Sequence, residues 1–156
     1  MKLLLVMAIG LCSAIGGPTL WAADPPVAAT YKSSADLAAV LRESIRKVSP
    51  EMALSGVIST DQYQVNVVHR DQPAGAIAHP AATEVHYIIE GSGTFVTGGQ
   101  IMGKGAAAII EGGVTKHIAK GDVVVIPAGM PHWYSEIDKG SITYLETRFN
   151  LAETKK

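Results

Sequence analysis

Residues 121–132 read Gly-Asp-Val-Val-Val-Ile-Pro-Ala-Gly-Met-Pro-His. Gly121-Asp122 is a turn pair, and Pro127 to Pro131 is a Pro/Gly loop that delivers His132. Between them Val123 to Ile126 is an apolar run bounded by turn formers, which predicts a fully buried strand. The neighbouring segments carry the same rhythm. Upstream, residues 84–93 read Glu-Val-His-Tyr-Ile-Ile-Glu-Gly-Ser-Gly. Side chains alternate faces along a strand, so Glu84 and His86 point the same way, opposite Val85 and Tyr87. Gly91-Ser92-Gly93 reads as a break. A second strand, Thr94 to Thr97, then ends at Gly98-Gly99, a pair that readily supplies positive φ. Downstream, His132–Ile137 and Ser141–Phe149 predict the last two strands, with Lys139-Gly140 as their turn.

The remainder is mostly strand as well. Met52–Ile58 is a short apolar segment, and Gln62–Arg70 alternates, with Tyr63, Val65 and Val67 on one face. Ala76–His79 is a short edge piece that Pro80 ends. Ile101–Gly113 is Gly/Ala-rich and hairpin-like, and Val114–Ile118 leads into Gly121. Many short strands with glycine punctuation argue for a sandwich or barrel. One helix stands apart. Ser33-Ser34-Ala35-Asp36 resembles a capping box, and Leu37, Leu41 and Ile45 recur every four residues, with Val40 and Val48 beside them. This predicts an amphipathic helix over 35–48, stopped by Pro50 and packed outside a sheet.

The N-terminus reads as a signal peptide: Lys2, an apolar run from Leu3 to Cys12, a Gly16-Gly17-Pro18 break and Leu20-Trp21-Ala22. Cleavage is expected after Ala22, because cleavage after Ala23 would put bulky Trp21 at a restrictive position. The apolar run is short for a membrane span. Leu11 before Cys12 argues against lipidation. The expected organisation is a signal peptide at 1–22, a leader and helix at 23–50, a β-barrel at 51–150 and a flexible tail at 151–156. The mature chain is expected to be periplasmic or secreted, with no stable membrane association. It would carry 12 basic against 14 acidic residues, since Lys2 is lost from 13, and no cysteine.

That near-neutral charge gives no nucleic-acid footprint. There is no Gly-x-Ser-x-Gly elbow, no phosphate-binding Gly/Lys/Ser loop and no thiol nucleophile in the mature chain. What remains is Glu84 and His86, a carboxylate and an imidazole on one face of an apolar strand. From the residues alone they are half of a metal site or an acid/base pair.

Two segments together resemble the cupin superfamily. Gly121, Pro127, Gly129 and His132 follow the pattern G-x5-P-x-G-x2-H over twelve residues. Glu84 and Gly91 satisfy E-x6-G of the first cupin segment, and His79 satisfies H-x4-E. The resemblance implies an all-β fold: a double-stranded β-helix, the small cupin jelly-roll barrel, with a metal in its mouth and here one N-terminal amphipathic helix. Through those motifs it implies His79, Glu84 and His132 as ligands. Three positions depart. Ile77 stands where the first histidine of H-x-H falls, Asp71 where the opening glycine falls, and Glu136 where the second motif often ends in asparagine. His86 shares the face of Glu84 and is inferred to replace the missing ligand, giving His79, Glu84, His86 and His132.

Three nitrogens and one oxygen suit Mn, Fe, Co, Ni, Cu or Zn as divalent ions. The bland alternatives are a loop histidine fixed by Pro80 for His79, a space-filling imidazole for His86, a surface carboxylate for Glu84 and a strand cap for His132. His69 and His117 lie outside both motifs, with His117 the reserve ligand. Tyr87 and Tyr144 are proton donors or core, Trp133 is packing or pocket wall, and Glu146 and Arg148 read as a solvated or paired surface face. Glu90 reads as exposed at the turn. The resemblance implies a metal-dependent enzyme on a small organic molecule, a carboxylate or sugar, without choosing among dioxygenase, isomerase, decarboxylase and lyase. It equally covers a non-catalytic protein that binds a metal or small ligand, and it implies a homodimer.

Overall fold

The structure is a computed structural model that describes residues 29–47 and 53–150. The expected signal peptide, Pro50 and the tail at 151–156 lie outside the described residues. Helix α1 (Ser34–Lys47) is followed by β1 (Ala53–Ser59), β2 (Tyr63–Arg70), β3 (Ala82–Thr97), β4 (Gln100–Met102), β5 (Ile109–Glu111), β6 (Val114–Ala119), β7 (Val123–Ile126) and β8 (His132–Asn150). The helix starts as the sequence predicts. Ser33 Oγ accepts from the Asp36 N–H at 3.1 Å, and Asp36 Oδ2 accepts from the Ser33 N–H at 3.0 Å, a reciprocal cap. α1 packs on β1 and β2 with Leu37 and Leu41 half-buried, while Ile45 stays exposed.

The main sheet runs β1-β2-β8-β3-β6, with β7 also on β3, and β4 and β5 form a small second sheet. All pairings are antiparallel. Register builds the interior. Asn66 lies opposite Glu146, Glu146 opposite His86, and His86 opposite Val124. One rung away, Gln64, Arg148, Glu84 and Ile126 align the same way. Below them Val68, Ile88, Phe95, Ile118, Ile126, Tyr134, Ile142 and Tyr144 form the core. Each such side chain contributes about 1.5–3 kcal/mol by leaving water.

Three strand expectations need correction. Gly91-Ser92-Gly93 does not end the strand: β3 runs on for 16 residues through register shifts at Ile88/Glu90 and Gly91/Gly93. Gly91 sits at φ +80°, and a Cβ there would lie 1.9 Å from the Ser141 carbonyl oxygen, so the glycine makes a bulge against β8. Lys139-Gly140 likewise lies inside the 19-residue β8. β7 is not fully buried. Val123 and Val125 are 59% and 62% exposed, and Ile126 alone of the four is buried, because the strand turns one face inward and the other outward. Four apolar residues in a row show no period from which to read this.

Candidate metal centre

Alternation along β3 turns Glu84, His86 and Ile88 inward, all 1% exposed or less. His132 arrives from the Pro/Gly loop at the start of β8, its backbone bridged to Ile77. His79 sits in the loop before β3, where its carbonyl accepts from the N–H groups of Gly129 and Ala82. The sequence-predicted residues therefore meet. His79 Nε2 lies 3.3 Å from Glu84 Oε1, His86 Nε2 lies 3.1 Å from Oε2 and His132 Nε2 lies 3.6 Å from Oε2. Donor atoms of His79, Glu84 and His132 fall within 4.8 Å of one another, and so do those of Glu84, His86 and Glu146. The two groups share Glu84, with His86 on the Glu146 side.

The surroundings set which nitrogens are free. His132 Nδ1–H donates to the Met130 carbonyl at 3.0 Å, which leaves Nε2 a lone pair. His79 Nε2 lies 3.3 Å from Arg148 Nη2, which can only donate; in the Nδ1–H tautomer this nitrogen too offers a lone pair. His86 Nδ1 lies 2.9 Å from the Tyr134 hydroxyl. In the tautomer that donates from Nδ1 to that oxygen, Nε2 is a lone-pair donor; in the other, Nε2–H donates to Glu84.

Burial pushes the Glu84 carboxyl up, but the His86 hydrogen bond and the nearby His132, His79 and Arg148 outweigh it and hold it below its ordinary value. Burial pulls the His132 imidazole below its usual value, against the opposing Met130 carbonyl and Glu84. Burial pushes the Tyr134 phenol well up and that of Tyr144 to about 12, so both keep their protons near neutral pH. One interaction is imperfect. Arg148 Nε lies 3.0 Å from Glu84 Oε1, yet neither atom has a directed hydrogen-bond partner. The ion pair is close but misaligned, and Glu84 Oε1 is a buried oxygen lacking a well-placed donor.

The cupin family profile matches residues 61–147, more than half of the chain. The chain is a cupin. The fold agrees with this. A double-stranded β-helix protein from Klebsiella pneumoniae superposes with TM-score 0.55 at 19% identity, covering 70% of this cupin and 86% of that chain. FeII HppE superposes at 0.52 and 15% identity, covering 63% of this cupin but half of that longer chain. A predicted oxalate decarboxylase from Thermotoga maritima superposes at 0.50 and 18% identity, covering 64% and 81%. No curated protein matches the sequence.

The expectation for Glu146 and Arg148 is overturned. Glu146 is 5% exposed and faces the interior, where it accepts from Asn66 Nδ2 at 2.8 Å and forms an ion pair with Arg148 Nη2 at 3.3 Å. Their pairing is real, but it lies inside the barrel of this cupin. Tyr134, which orients His86, was not singled out from the sequence. The signal for all three was alternation with the apolar inner residues Ile142 and Tyr144. Tyr144 is core, stacked on His86 with ring centroids 4.6 Å apart, whereas Tyr87 is 48% exposed. His117 pairs with Asp138 at the surface and His69 with Thr143, so neither joins the cluster. Trp133 is half-buried against the Val96 cluster, and Glu90 is exposed.

Proposed function

We propose that this cupin holds one divalent transition metal through His79, Glu84, His86 and His132 and uses it on a small organic substrate, a carboxylate or sugar-like molecule. The observation that carries this is the convergence of three imidazole Nε2 atoms on one buried carboxylate, whose Oε1 lacks a directed donor. Such an oxygen is costly to leave unsatisfied, and a cation satisfies it. The donor set of three nitrogens and one oxygen suits Mn, Fe, Co, Ni, Cu or Zn.

The bound metal would supply Lewis-acid polarisation of a substrate oxygen or a lowered pKa for bound water. The chain's own residues do the rest. Met130 and Tyr134 fix the rings of His132 and His86 through their Nδ1 atoms. Arg148 offsets part of the charge of Glu84 and Glu146. Beside His79 a depression of about 240 Å³, lined by Gln64, Pro80, Ala82, Arg148 and Asn150 among others, gives a small molecule room to approach. With Glu84 held as a ligand, Glu146 is a second interior carboxylate that the motifs do not contain. The FeII HppE likeness in fold lends the enzyme reading support by analogy.

Elemental analysis of the natively exported protein tests this. About one metal per chain is expected, lost on His132→Ala and on His86→Ala. Protein without stoichiometric metal whose melting temperature is unmoved by chelator overturns it. Full metal content in His86→Ala removes His86 from the ligand set. Turnover against a panel of small carboxylates and sugars separates the enzyme from a non-catalytic binder. Export with removal of residues 1–22 belongs to the same reading, and a mature N-terminus at Ala23 is expected.

A further inference from the structure

Apart from the candidate metal centre, the barrel buries a guanidinium. Arg70 closes β2 and is 7% exposed, yet among the described residues no carboxylate lies within ion-pair distance of it. Its Nε–H donates to the Tyr144 hydroxyl at 3.0 Å. Its guanidinium carbon lies 5.1 Å from the Tyr134 ring centroid and 5.9 Å from that of Tyr144. Aromatic faces and a neutral hydroxyl offset part of the desolvation but bring no negative charge. A buried charge is ordinarily paired, because leaving it unpaired costs far more than a lost neutral hydrogen bond.

Arg70 also lines a cavity of about 240 Å³, with Ala74, Gly75, Ala76, Ile77, Gly105 and Ala106. This cavity shares no lining residue with the depression beside His79. Its wall is firm. The Ala76 N–H donates to Ala108 O and the Ile77 N–H to His132 O. A Cβ on Gly75 would sit 1.8 Å from the Gly105 carbonyl oxygen, so the two loops meet through bare backbone.

We infer that this cavity is a binding subsite for a short-chain monocarboxylate, whose charge Arg70 neutralises. Three features select that class. Tyr144 engages Nε, and the planar pair of terminal nitrogens has the geometry that matches a carboxylate through two parallel hydrogen bonds. Arg70 is the one charged residue of the lining, so a dianion such as phosphate would bring a second charge with no partner. The other side chains are alkyl or absent and suit a short hydrocarbon tail. At about 240 Å³ the cavity is smaller than sites for drug-sized ligands and suits a short chain.

The test is the melting temperature of the full exported protein against butyrate, butyramide and inorganic phosphate, at constant ionic strength balanced with chloride. Wild type, Arg70→Met and Arg70→Lys are compared, each with and without chelator. The expected result is a saturating rise with butyrate that butyramide and phosphate do not give and that survives chelation. Its apparent affinity should fall about tenfold or more in both variants, the scale of a lost charge-assisted hydrogen bond. A rise that persists undiminished in the variants overturns the inference. So does one that needs the bound metal, which places the carboxylate at the metal centre, or one that phosphate or butyramide matches. No saturable response in the wild type also overturns it. Should Arg70→Met fail to fold, Arg70→Lys carries the comparison. The metal reading is unaffected by these outcomes, since its readout is metal content.

Discussion

Replacing Glu84 by glutamine removes the one charge on which three imidazoles and Arg148 converge. Glu84 is 1% exposed, so water does not screen the change. Breaking a buried ion pair from one side costs about 3–5 kcal/mol. Arg148 keeps Glu146 at 3.3 Å and is 23% exposed, and glutamine preserves the volume. The cost therefore falls at or just below the bottom of that range, about 2–3 kcal/mol for chelator-treated protein. For a chain of this size that is a drop of roughly 4–12 °C in melting temperature. The assay is thermal unfolding of wild type and Glu84→Gln, each with and without chelator, alongside metal analysis. In the wild type chelation should lower the melting temperature further, and in Glu84→Gln it should change nothing. A variant that melts with the wild type and still carries one metal per chain refutes the reasoning, because Glu84 would then be neither counter-charge nor ligand.

Acid should destabilise the metal-free protein in two stages. Burial holds His132 below its ordinary 6.5, so the unfolded chain takes up that proton first, and stability present above 6.5 is lost as pH falls through the folded value. Glu84 is held below its ordinary 4.5, and the stability it contributes above that value is lost on further acidification. Melting temperature against pH checks both, and His132→Ala should flatten the first stage. Tyr134→Phe removes the group that orients His86 and should weaken metal affinity about 10–100-fold with the fold intact, measured by competition with a chromophoric chelator. Gly91→Ala should cost more than about 2 kcal/mol by denaturant unfolding, because positive φ and the Ser141 oxygen both reject a Cβ.

Local pattern carried much of this. Alternation in residues 84–89 placed Glu84 and His86 on one face, and the Gly121–His132 motif delivered His132 where the family likeness implied. The capping box at Ser33–Asp36 forms as read. Glycine was less informative. Gly91 and Gly140 looked like strand ends, but positive φ serves a bulge as well as a turn, and only the partner strand decides between them. The apolar run at Val123–Ile126 had no period, so its outward face was invisible.

The sequence by itself determined which residues share a face, because alternation is local backbone geometry, and the family likeness implied the motif that brings His132 to the barrel. The tertiary structure decided which face of β8 points inward. Glu146 and Arg148 alternate with Tyr144 as plainly as Glu84 does with His86, but alternation is symmetric between inside and outside. Register against β2 and β3 breaks that symmetry, placing Glu146 between Asn66 and His86 and Arg148 beside Glu84. The same register buries Arg70 against two tyrosines far from it in sequence, and no local pattern encodes that environment.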